Sequence, residues 1–512
     1  MQKRIKFRSE ILLGAAIIAS YFFLRLIYIN RLPIFTDEAI YMRWAQIALH
    51  DASWRFISLT DGKQPMFIWF SMVFMKFIKD PLIAGRLVSV TSGFFTMLGI
   101  FALSYEMFKN KTTSFLAAIL YVFYPMAQVY DRMAIMDGMV GTFFVWALYF
   151  SVLLVRKARL NVAYTLGFLI GGGTLTKSTN FFSIYLLPFT LILFDFTKKG
   201  LPARFIRWAS YALFSVVIGY GLYSILRLSP LFGMITEKND VFIYPLSQWI
   251  HHPFTYFFSN FSGLFSWLVQ YLKIPYIVLI LVALILIKKS FKEKLLLFLY
   301  FVLPFTALAL FGKLIYPRFI YFMSLSLLPL AAWGLNYVIG EALKYVRGKD
   351  RVNLTRITVP IIVAVFVWYP LFVSFQFAQD PINSQIANAD NSQYANSWAA
   401  GWGVSQSIAF FKEQAQTHKI YVATEGTFGL MPESMEMYLL EDKNITVKGY
   451  WPLDSFPKQV VDAARSMPTY FIFYQPQHRI LPSSFPLKLL FKVRQGNTNY
   501  FYRVYQVVPQ QK

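Results

Sequence analysis

The sequence changes from apolar to acidic within a few residues near its start. Residues 11–30 read ILLGAAIIASYFFLRLIYIN, and residues 31–46 read RLPIFTDEAIYMRWAQ. A helix of about 20 mostly apolar residues is long enough to cross the hydrocarbon core of a bilayer. Asp37 and Glu38 therefore stand side by side just beyond a predicted transmembrane helix. Adjacent carboxylates repel each other and hold water strongly, so this pair calls for an explanation.

Composition extends the membrane assignment to most of the chain. Of 512 residues, 57% are hydrophobic and only 14% are charged, whereas a soluble globular protein has about 25% charged residues. Apolar runs lie at 11–30, 82–105, 114–130, 138–155, 162–176, 180–196, 208–228, 271–287, 294–312, 319–339 and 357–376. We predict an α-helical polytopic membrane protein with about eleven transmembrane helices, of which the first is retained rather than cleaved.

The distribution of basic residues predicts the orientation of these helices. A net charge of +24 is also typical of nucleic-acid binding, but here the basic residues are spread over short loops instead of forming one basic face. They occur in alternate loops: Lys3/Arg4/Lys6/Arg8, Lys109/Lys111, Arg156/Lys157/Arg159, Lys198/Lys199/Arg204/Arg207, Lys288/Lys289/Lys292/Lys294 and Lys344/Arg347/Lys349/Arg351. The positive-inside rule makes these loops and the N-terminus cytoplasmic, in the cytoplasmic membrane and beside anionic lipids, with no nucleic-acid partner.

The other loops then face outward and carry the carboxylates Asp37, Glu38, Asp51, Asp61, Asp131 and Asp137. Residues 31–80 form a long outer loop. Within it PMFIWFSMVFMKFIK (residues 65–79) is short and bounded by prolines, which favours an interfacial helix over a further span. The alternation of basic and acidic loops therefore collects the acidic residues on one side of the membrane.

Residues 377–512 have a different character from residues 1–376, which form the predicted membrane domain. AQDPINSQIANADNSQYANSW (residues 378–398) has the polar composition of a linker. Five alternating runs at 418–426, 444–451, 469–476, 487–494 and 500–508 predict strands, and GVSQSIAFFKEQAQ (residues 403–416) predicts a helix. We predict a soluble, extracytoplasmic α/β domain.

Charged residues at membrane depth are functional candidates, because burying each one costs roughly 2.5–3.5 kcal/mol on insertion scales. Here both signs are found on the outer side, beside the predicted spans: Asp37, Glu38, Lys63, Arg132, Asp137, Lys177 and Arg318. Arg318 lies in GKLIYPRFIYF, where the neutral Tyr316 is a further candidate. A carboxylate can take a proton from a hydroxyl, and Lys or Arg can hold a phosphate as it leaves. Together they suit transfer of a group from a phosphate to a hydroxyl.

Each of these residues also has a structural explanation. Asp37 and Glu38 suit the first turn of a helix with Thr36 or Asp37 as N-cap. Arg132 and Asp137 suit a paired loop charge, and lone cations at span ends suit snorkelling to the interface. The chain has no cysteine, and His251–His252 has no partner at metal-ligand spacing.

The motifs resemble, in order, those of the C superfamily of membrane glycosyltransferases. They are FTDEAIYMRWAQ (35–46), DGKQPMFIWF (61–70), DPLIAGRLVSVTSGFFTMLGIFALSYEMF (80–108), DRMAIMDGMVGTFF (131–144) and GGGTLTKST (171–179). The protein O-mannosyltransferase and lipid A aminoarabinose transferase branch is the most similar. The resemblance implies transfer, with inversion, of a sugar from a polyprenyl phosphate to an acceptor on the outer face of the membrane.

The resemblance also assigns roles to residues of this sequence. Asp37 corresponds to the general base and Glu38 to its neighbour in the family's Asp-Glu pair, while Lys63 and Asp137 match the basic residue of a Lys-Pro-Pro motif and the second acidic position. Basic positions of the family frame fall at Arg86, Arg132 and Lys177. Ile40 stands where the family often has arginine, and Lys63 is followed by Gln64. These departures leave the sugar and the acceptor open.

Two other functional classes remain open at this stage. A multi-span secondary transporter also needs charged residues within the membrane, but transporters place them on broken midplane helices and show repeated halves. A catalytically inactive membrane module with a surface-binding domain would keep the same sequence pattern. The family's metal dependence varies, so a divalent metal is compatible with the resemblance but has no ligand pattern in this sequence.

Overall fold

A computed structural model describes residues 2–345 and 351–509 of the chain. Arg347 and Lys349, which belong to the predicted positive loops, lie outside these residues. The first helices are α1 (Gln2–Leu26), α2 (Thr36–His50), α3 (Met66–Met75), α4 (Pro81–Phe108), α5 (Lys111–Phe123), α6 (Pro125–Tyr130), α7 (Met136–Lys157), α8 (Leu160–Thr176) and α9 (Phe182–Tyr185). The membrane part continues with α10 (Leu201–Tyr223), α11 (Met234–Phe242), α12 (Leu246–His251), α13 (Phe257–Ile285), α14 (Phe291–Phe311), α15 (Tyr321–Ser324), α16 (Leu327–Tyr345) and α17 (Arg351–Gln379).

The predicted count of eleven transmembrane helices is not confirmed. In the part of the chain that the structure describes, seven helices are long and apolar enough to cross a membrane. An eighth results if Pro317–Ser324 and Leu327–Tyr345, which meet at 56°, form one bent span. The apolar runs 114–130 and 180–196 instead form shorter helical pieces, Lys111–Phe123 and Ser178–Leu193. Apolar composition correctly predicted helical structure in these segments, but it did not predict the length of the helices.

Ion pairs connect several of the predicted basic loops at one end of the helical bundle. Lys111 lies 2.7 Å from Glu10, and Arg156 lies 2.8 Å from Glu106 and 3.3 Å from Glu293. Loops that are far apart in sequence therefore share one end, as the alternation of charge predicts. The predicted outer loops meet at the opposite end, where α2 and α3 lie.

Helix α3 supports the prediction of a non-spanning segment in the outer loop. It covers only Met66–Met75, and ten residues of α-helix extend about 15 Å, half the thickness of the hydrocarbon core. Phe67 and Ile68 are buried whereas Phe70 and Val73 are exposed. This division into a packed face and an open face suits a helix that lies along the membrane surface.

The C-terminal part is an α/β unit, as predicted. It contains α18 (Asn388–Ala395), α19 (Val404–Gln414), β1 (Ile420–Glu425), α20 (Glu433–Leu439), β2 (Ile445–Tyr450), α21 (Lys458–Ser466), β3 (Thr469–Phe473), β4 (Leu487–Arg494) and β5 (Phe501–Val507). All five predicted strands and the predicted helix are present. The sheet order is β2-β1-β3-β5-β4, with β1 parallel to β2 and β3 and the other pairs antiparallel.

The segment that has linker composition is in fact packed against the outer loop. Residues 388–395 form α18, and Phe35 pairs with Ala400 in an isolated antiparallel bridge. The amide of Gly401 donates to the carbonyl of Ile34 at 2.8 Å, and that of Thr36 donates to Ala399 at 3.3 Å. One hydrophobic core continues from the membrane helices into the sheet. The polar residues of this stretch form turns and hydrogen bonds instead of a free tether, and the domain boundary at 376/377 stays a prediction.

The opposite ends of the bundle predict a simple labelling pattern. Because the native chain has no cysteine, single cysteines can be introduced without background. We expect a membrane-impermeant thiol reagent, added from outside, to label a cysteine at Asp51 and to leave one at Lys157 unlabelled. Labelling at Lys157 without labelling at Asp51 would overturn the assigned orientation, whereas equal labelling at both positions would show leaky membranes.

Candidate functional site

The site is built on the first turn of α2, where Glu38 points into the protein. Its Oε1 lies 2.9 Å from Nε of Arg86, and its Oε2 lies 2.8 Å from Nη2. The amide of Ala134 donates to Oε1 at 2.7 Å, and that of Phe35 donates to Oε2 at 3.0 Å. Both side chains of the ion pair are fully buried. A buried ion pair is tolerated when hydrogen bonds satisfy its remaining oxygens and N–H groups, as here.

Arg86 extends the same network into the loop that precedes α2. Its Nη1 donates to the carbonyls of Ile29 and Leu32 at 2.6 and 3.1 Å, and its Nη2 donates to that of Pro33 at 3.2 Å. The guanidinium therefore holds the turn between α1 and α2 as well as Glu38. Removing either partner would leave a buried charge and several unpaired groups.

Asp37 points away from this network, towards two cations. Its Oδ2 lies 2.6 Å from Nη1 of Arg318, and its Oδ1 lies 3.4 Å from Nζ of Lys63. Burial alone would raise the pKa of the Asp37 carboxyl, but the charges of Lys63 and Arg318 outweigh it and hold this pKa below its usual range. The helix begins at Thr36 after Phe35 as N-cap. The explanation that Thr36 or Asp37 is the N-cap is therefore wrong.

A cavity of about 420 Å³ opens beside Asp37. Its polar wall contains Lys63, Lys177, Lys238 and Arg318. Lys177 lies 2.6 Å from Asp137, Lys238 lies 2.6 Å from Asp61, and Lys63 lies 3.3 Å from Asp61. Four cations thus face the three carboxylates Asp37, Asp61 and Asp137, so the cluster has an excess of one positive charge at neutral pH.

The opposite wall of the cavity is aromatic and aliphatic. It is lined by Phe181, Phe182, Phe242, Pro304, Ala307, Leu308, Phe311, Phe319 and Phe322. An apolar wall facing a cationic one suits an amphiphile with an anionic head group, because the chain is removed from water while the head group is paired with charge. The cavity has the chemistry of a lipid-phosphate site.

The structure brings only part of the predicted site together. Lys63, Asp137, Lys177 and Arg318 line the cavity, and Asp37 adjoins it through its ion pairs with Lys63 and Arg318. Glu38 and Arg86 lie behind it in the buried ion pair. The ring of Tyr316 lies 5.1 Å from the guanidinium carbon of Arg318, against which it packs.

Arg132 does not line the cavity but binds the C-terminal end of α1. Its Nη1 donates to the carbonyls of Leu24 and Ile27 at 2.7 and 2.8 Å, which satisfies groups left free at a helix C-terminus. Asp137 is paired with Lys177. The explanation of Arg132 and Asp137 as one paired loop charge is therefore wrong.

Several residues of the cavity were not predicted from the sequence. Lys238 lies in helix α11, far from the motifs quoted above, and neither Tyr41 nor Gln64 was predicted to line a site. Helix α11 stands out in a largely apolar loop by its EKND run (residues 237–240), and this charge was the available signal. In the described residues, no group of three or more His, Asp and Glu side chains is arranged to hold a metal ion.

Comparisons with known proteins agree with this architecture. The model of the dolichyl-phosphate-mannose-protein mannosyltransferase family matches residues 62–223. The structure superimposes on crystal structures of ArnT from Cupriavidus metallidurans. The apo state gives a TM-score of 0.58 at 13% identity, covering 98% of this chain and 99% of that one. The chain has the C-superfamily glycosyltransferase fold.

Two further structures with this fold contain a lipid phosphate. ArnT bound to undecaprenyl phosphate gives a TM-score of 0.56 at 15% identity, with 98% of each chain covered. The oligosaccharyltransferase AglB from Archaeoglobus fulgidus, in complex with an inhibitory peptide and a dolichol-phosphate, gives 0.51 at 14% identity. The match covers 85% of this chain but 64% of AglB. No curated protein sequence matches the chain.

The contrast between the two adjacent acids can be tested through stability. We expect Glu38→Gln to lower the free energy of unfolding by about 3–5 kcal/mol, because it leaves the charge of Arg86 buried and unpaired. Asp37→Asn should change stability less, because the Asp37 side chain is 14% exposed and the amide oxygen of Asn can still accept hydrogen bonds from Arg318 and Lys63. Thermal unfolding of the purified protein in detergent measures both.

Glu436→Gln is the matched control for Glu38→Gln. Glu436 pairs with Arg43 at 3.0 Å, but the two side chains are 25% and 20% exposed, and such pairs contribute about 1 kcal/mol or less. A Glu38→Gln protein as stable as Glu436→Gln would contradict the anchoring role of the buried ion pair.

Proposed function

We propose that the protein is an inverting glycosyltransferase that moves a sugar from a polyprenyl-phosphate donor to an acceptor hydroxyl on the outer face of the cytoplasmic membrane. The observation that carries this proposal is the position of Asp37. It lies between Arg318 and Lys63, two cations that line a cavity with an apolar wall. A proton acceptor thus stands beside a site for a lipid phosphate.

The donor fits the cavity by its two chemically different parts. The polyprenyl chain lies along the aromatic and aliphatic wall, and the phosphate meets Lys177, Arg318 and Lys63. Guanidinium and ammonium groups bind phosphate oxygens through charge-assisted hydrogen bonds. The lipid phosphates in the ArnT and AglB structures support a ligand of this class for this fold.

The reaction is a single displacement at the anomeric carbon of the sugar. Asp37 takes the proton of the acceptor hydroxyl while the acceptor oxygen forms a bond to the anomeric carbon. The bond from that carbon to the phosphate oxygen breaks, and its electron pair leaves with the polyprenyl phosphate. Lys177 and Arg318 stabilise the charge that develops on this leaving group. Attack from the face opposite the phosphate inverts the anomeric centre.

The ion pairs of Asp37 also order the steps. While Lys63 and Arg318 hold the pKa of Asp37 below its usual range, the carboxylate is a weak base. A phosphate in the cavity competes for the same two cations. As they turn to the phosphate, Asp37 loses the charges that lower its pKa and becomes a better proton acceptor. Donor binding therefore precedes activation of the acceptor.

Glu38 is a positioning residue in this mechanism. Both of its oxygens are occupied by Arg86 and two backbone amides in the protein interior. It has no route to the acceptor, but it determines the direction in which Asp37 points. The acceptor itself, whether protein, lipid or glycan, is not specified by these contacts.

The role of Asp37 is tested by Asp37→Asn. The amide keeps the shape of the side chain but cannot take a proton, and general-base assistance is worth typically 10²–10⁴-fold. We expect a folded protein with turnover lower by about that factor. Retained binding of undecaprenyl phosphate, measured by a thermal-shift titration, is the control for an intact cavity. An Asp37→Asn protein with normal turnover would remove Asp37 from the chemistry.

Arg318 is tested by a pair of variants. Arg318→Lys keeps the charge but loses the planar fork, so a partial loss of undecaprenyl-phosphate affinity and of turnover is expected. Arg318→Ala should lose more of both. Lys313→Ala, at an exposed cation nearby on the same segment, is the matched control. If the two Arg318 variants bind and react as Lys313→Ala does, Arg318 is only an interfacial anchor.

A further inference from the structure

Helix α18 brings two polar side chains of the C-terminal part to the site. Asp390 and Tyr394 are four residues apart, so they lie on the same face of the helix. Both are fully buried. The ring of Tyr394 lies edge-on to that of Phe35 at 4.8 Å, and Phe35 is the N-cap of α2, two residues before Asp37. A segment with the composition of a linker therefore packs against the start of α2, the helix that carries Asp37.

Only one of the two Asp390 oxygens is occupied. Oδ2 accepts hydrogen bonds from the hydroxyls of Tyr130 and Tyr271. Oδ1 is buried and has no hydrogen-bond partner within residues 2–345 and 351–509. Burial raises the pKa of Asp390 to about 7, against the hydrogen bonds of Tyr130 and Tyr271, which lower it. Two tyrosines thus fix the carboxyl while its second oxygen stays unpaired.

Two more buried polar atoms near Asp390 also lack a hydrogen-bond partner in the described residues. Neither the Tyr394 hydroxyl nor Nε of Arg318 has a partner among the residues that the structure describes. Arg318 and α18 meet around the first turn of α2, because Arg318 binds Asp37 and Tyr394 packs on Phe35, two residues earlier. Nη1 of the same guanidinium binds Asp37. Because buried polar atoms in proteins nearly always have partners, three unpaired atoms around one arginine point to a polar ligand.

We propose that Asp390, Tyr394 and Nε of Arg318 form the subsite for the sugar of the lipid-linked donor. This inference rests on the proposed function. The three atoms offer a hydrogen-bond acceptor, a hydroxyl that donates or accepts, and an N–H donor. That set matches neighbouring hydroxyls of a sugar ring. It does not match the phosphate, which the carboxylate of Asp390 repels, and it does not match the polyprenyl chain, which has no polar groups.

The position of Arg318 explains how the polyprenyl chain and the sugar of the donor are directed to different parts of the site. On a polyprenyl-phosphate sugar the chain and the sugar extend from opposite sides of the phosphate. Arg318 faces the cavity, where the apolar wall holds the chain, and it binds Asp37, two residues from the Phe35 ring on which Tyr394 of α18 packs. A phosphate bound to Arg318 therefore directs its sugar towards Asp390 and Tyr394, with Asp37 alongside. The substrate class is a sugar with at least two free hydroxyls near the anomeric carbon.

The test compares a lipid with and without its sugar. Undecaprenyl phosphate and the corresponding mannosyl, glucosyl and arabinosyl phosphates are titrated into wild type, Tyr394→Phe and Asp390→Asn in detergent. Tyr394→Phe removes a hydroxyl that has no partner in the described residues, and Asn still accepts from Tyr130 and Tyr271, so both proteins should fold. Tyr502→Phe, which removes a buried hydroxyl of β5, is the matched control.

We expect wild type to bind at least one sugar-bearing lipid more tightly than undecaprenyl phosphate. Each α18 variant should lose about two- to tenfold of the affinity for that lipid, the usual contribution of a hydrogen bond. Affinity for undecaprenyl phosphate should stay unchanged, and Tyr502→Phe should behave as wild type.

Other outcomes separate the failure of this inference from that of the proposed function. Equal losses for both kinds of lipid would show that α18 acts on the phosphate site, and no loss would show that the unpaired atoms are hydrated internally. Each would overturn the subsite, as would a wild type that gains nothing from any sugar. A wild type that binds no lipid phosphate at all would instead contradict the proposed function.

Discussion

The buried ion pair between Glu38 and Arg86 is the constraint on which the site depends. Consecutive residues of an α-helix point about 100° apart. When the Glu38 carboxylate is fixed towards the interior, the Asp37 carboxylate must therefore point in another direction. Glu38 is held by Arg86, Ala134 and Phe35. Asp37 is thereby directed to the cavity wall. Two adjacent carboxylates coexist because the structure separates them: one is neutralised in the interior, and the other stands among the cations of the site.

The second determinant is the near balance of charge around Asp37. The four cations of the cavity wall, Lys63, Lys177, Lys238 and Arg318, are each already paired with a carboxylate. Each pairing keeps a long side chain ordered before the ligand arrives, and the excess positive charge favours an anion. In the proposed mechanism the same arrangement keeps Asp37 a weak base until the donor is bound, because Arg318 and Lys63 cannot pair fully with both Asp37 and a phosphate.

The sequence predicted what depends on local pattern. The alternating runs of the C-terminal part all became strands, and the alternation of charged loops correctly grouped Lys111, Arg156 and the region of Glu293 at one end. Apolar composition did not distinguish a span from a short packed helix, which is why the count of eleven was too specific. The polar stretch around Asp390 has no hydrophobic period, and its burial depends on Tyr130 and Tyr271, more than 100 residues away. No local rule detects such partners.

An experimental structure of the protein with undecaprenyl phosphate bound would test the proposed mechanism most directly. We expect the phosphate to lie within hydrogen-bond distance of Arg318 and Lys177, the Asp37–Arg318 contact of 2.6 Å to have lengthened or opened, and Glu38 still to bind Arg86. A phosphate bound outside the cavity, with Arg318 still on Asp37, would contradict this mechanism.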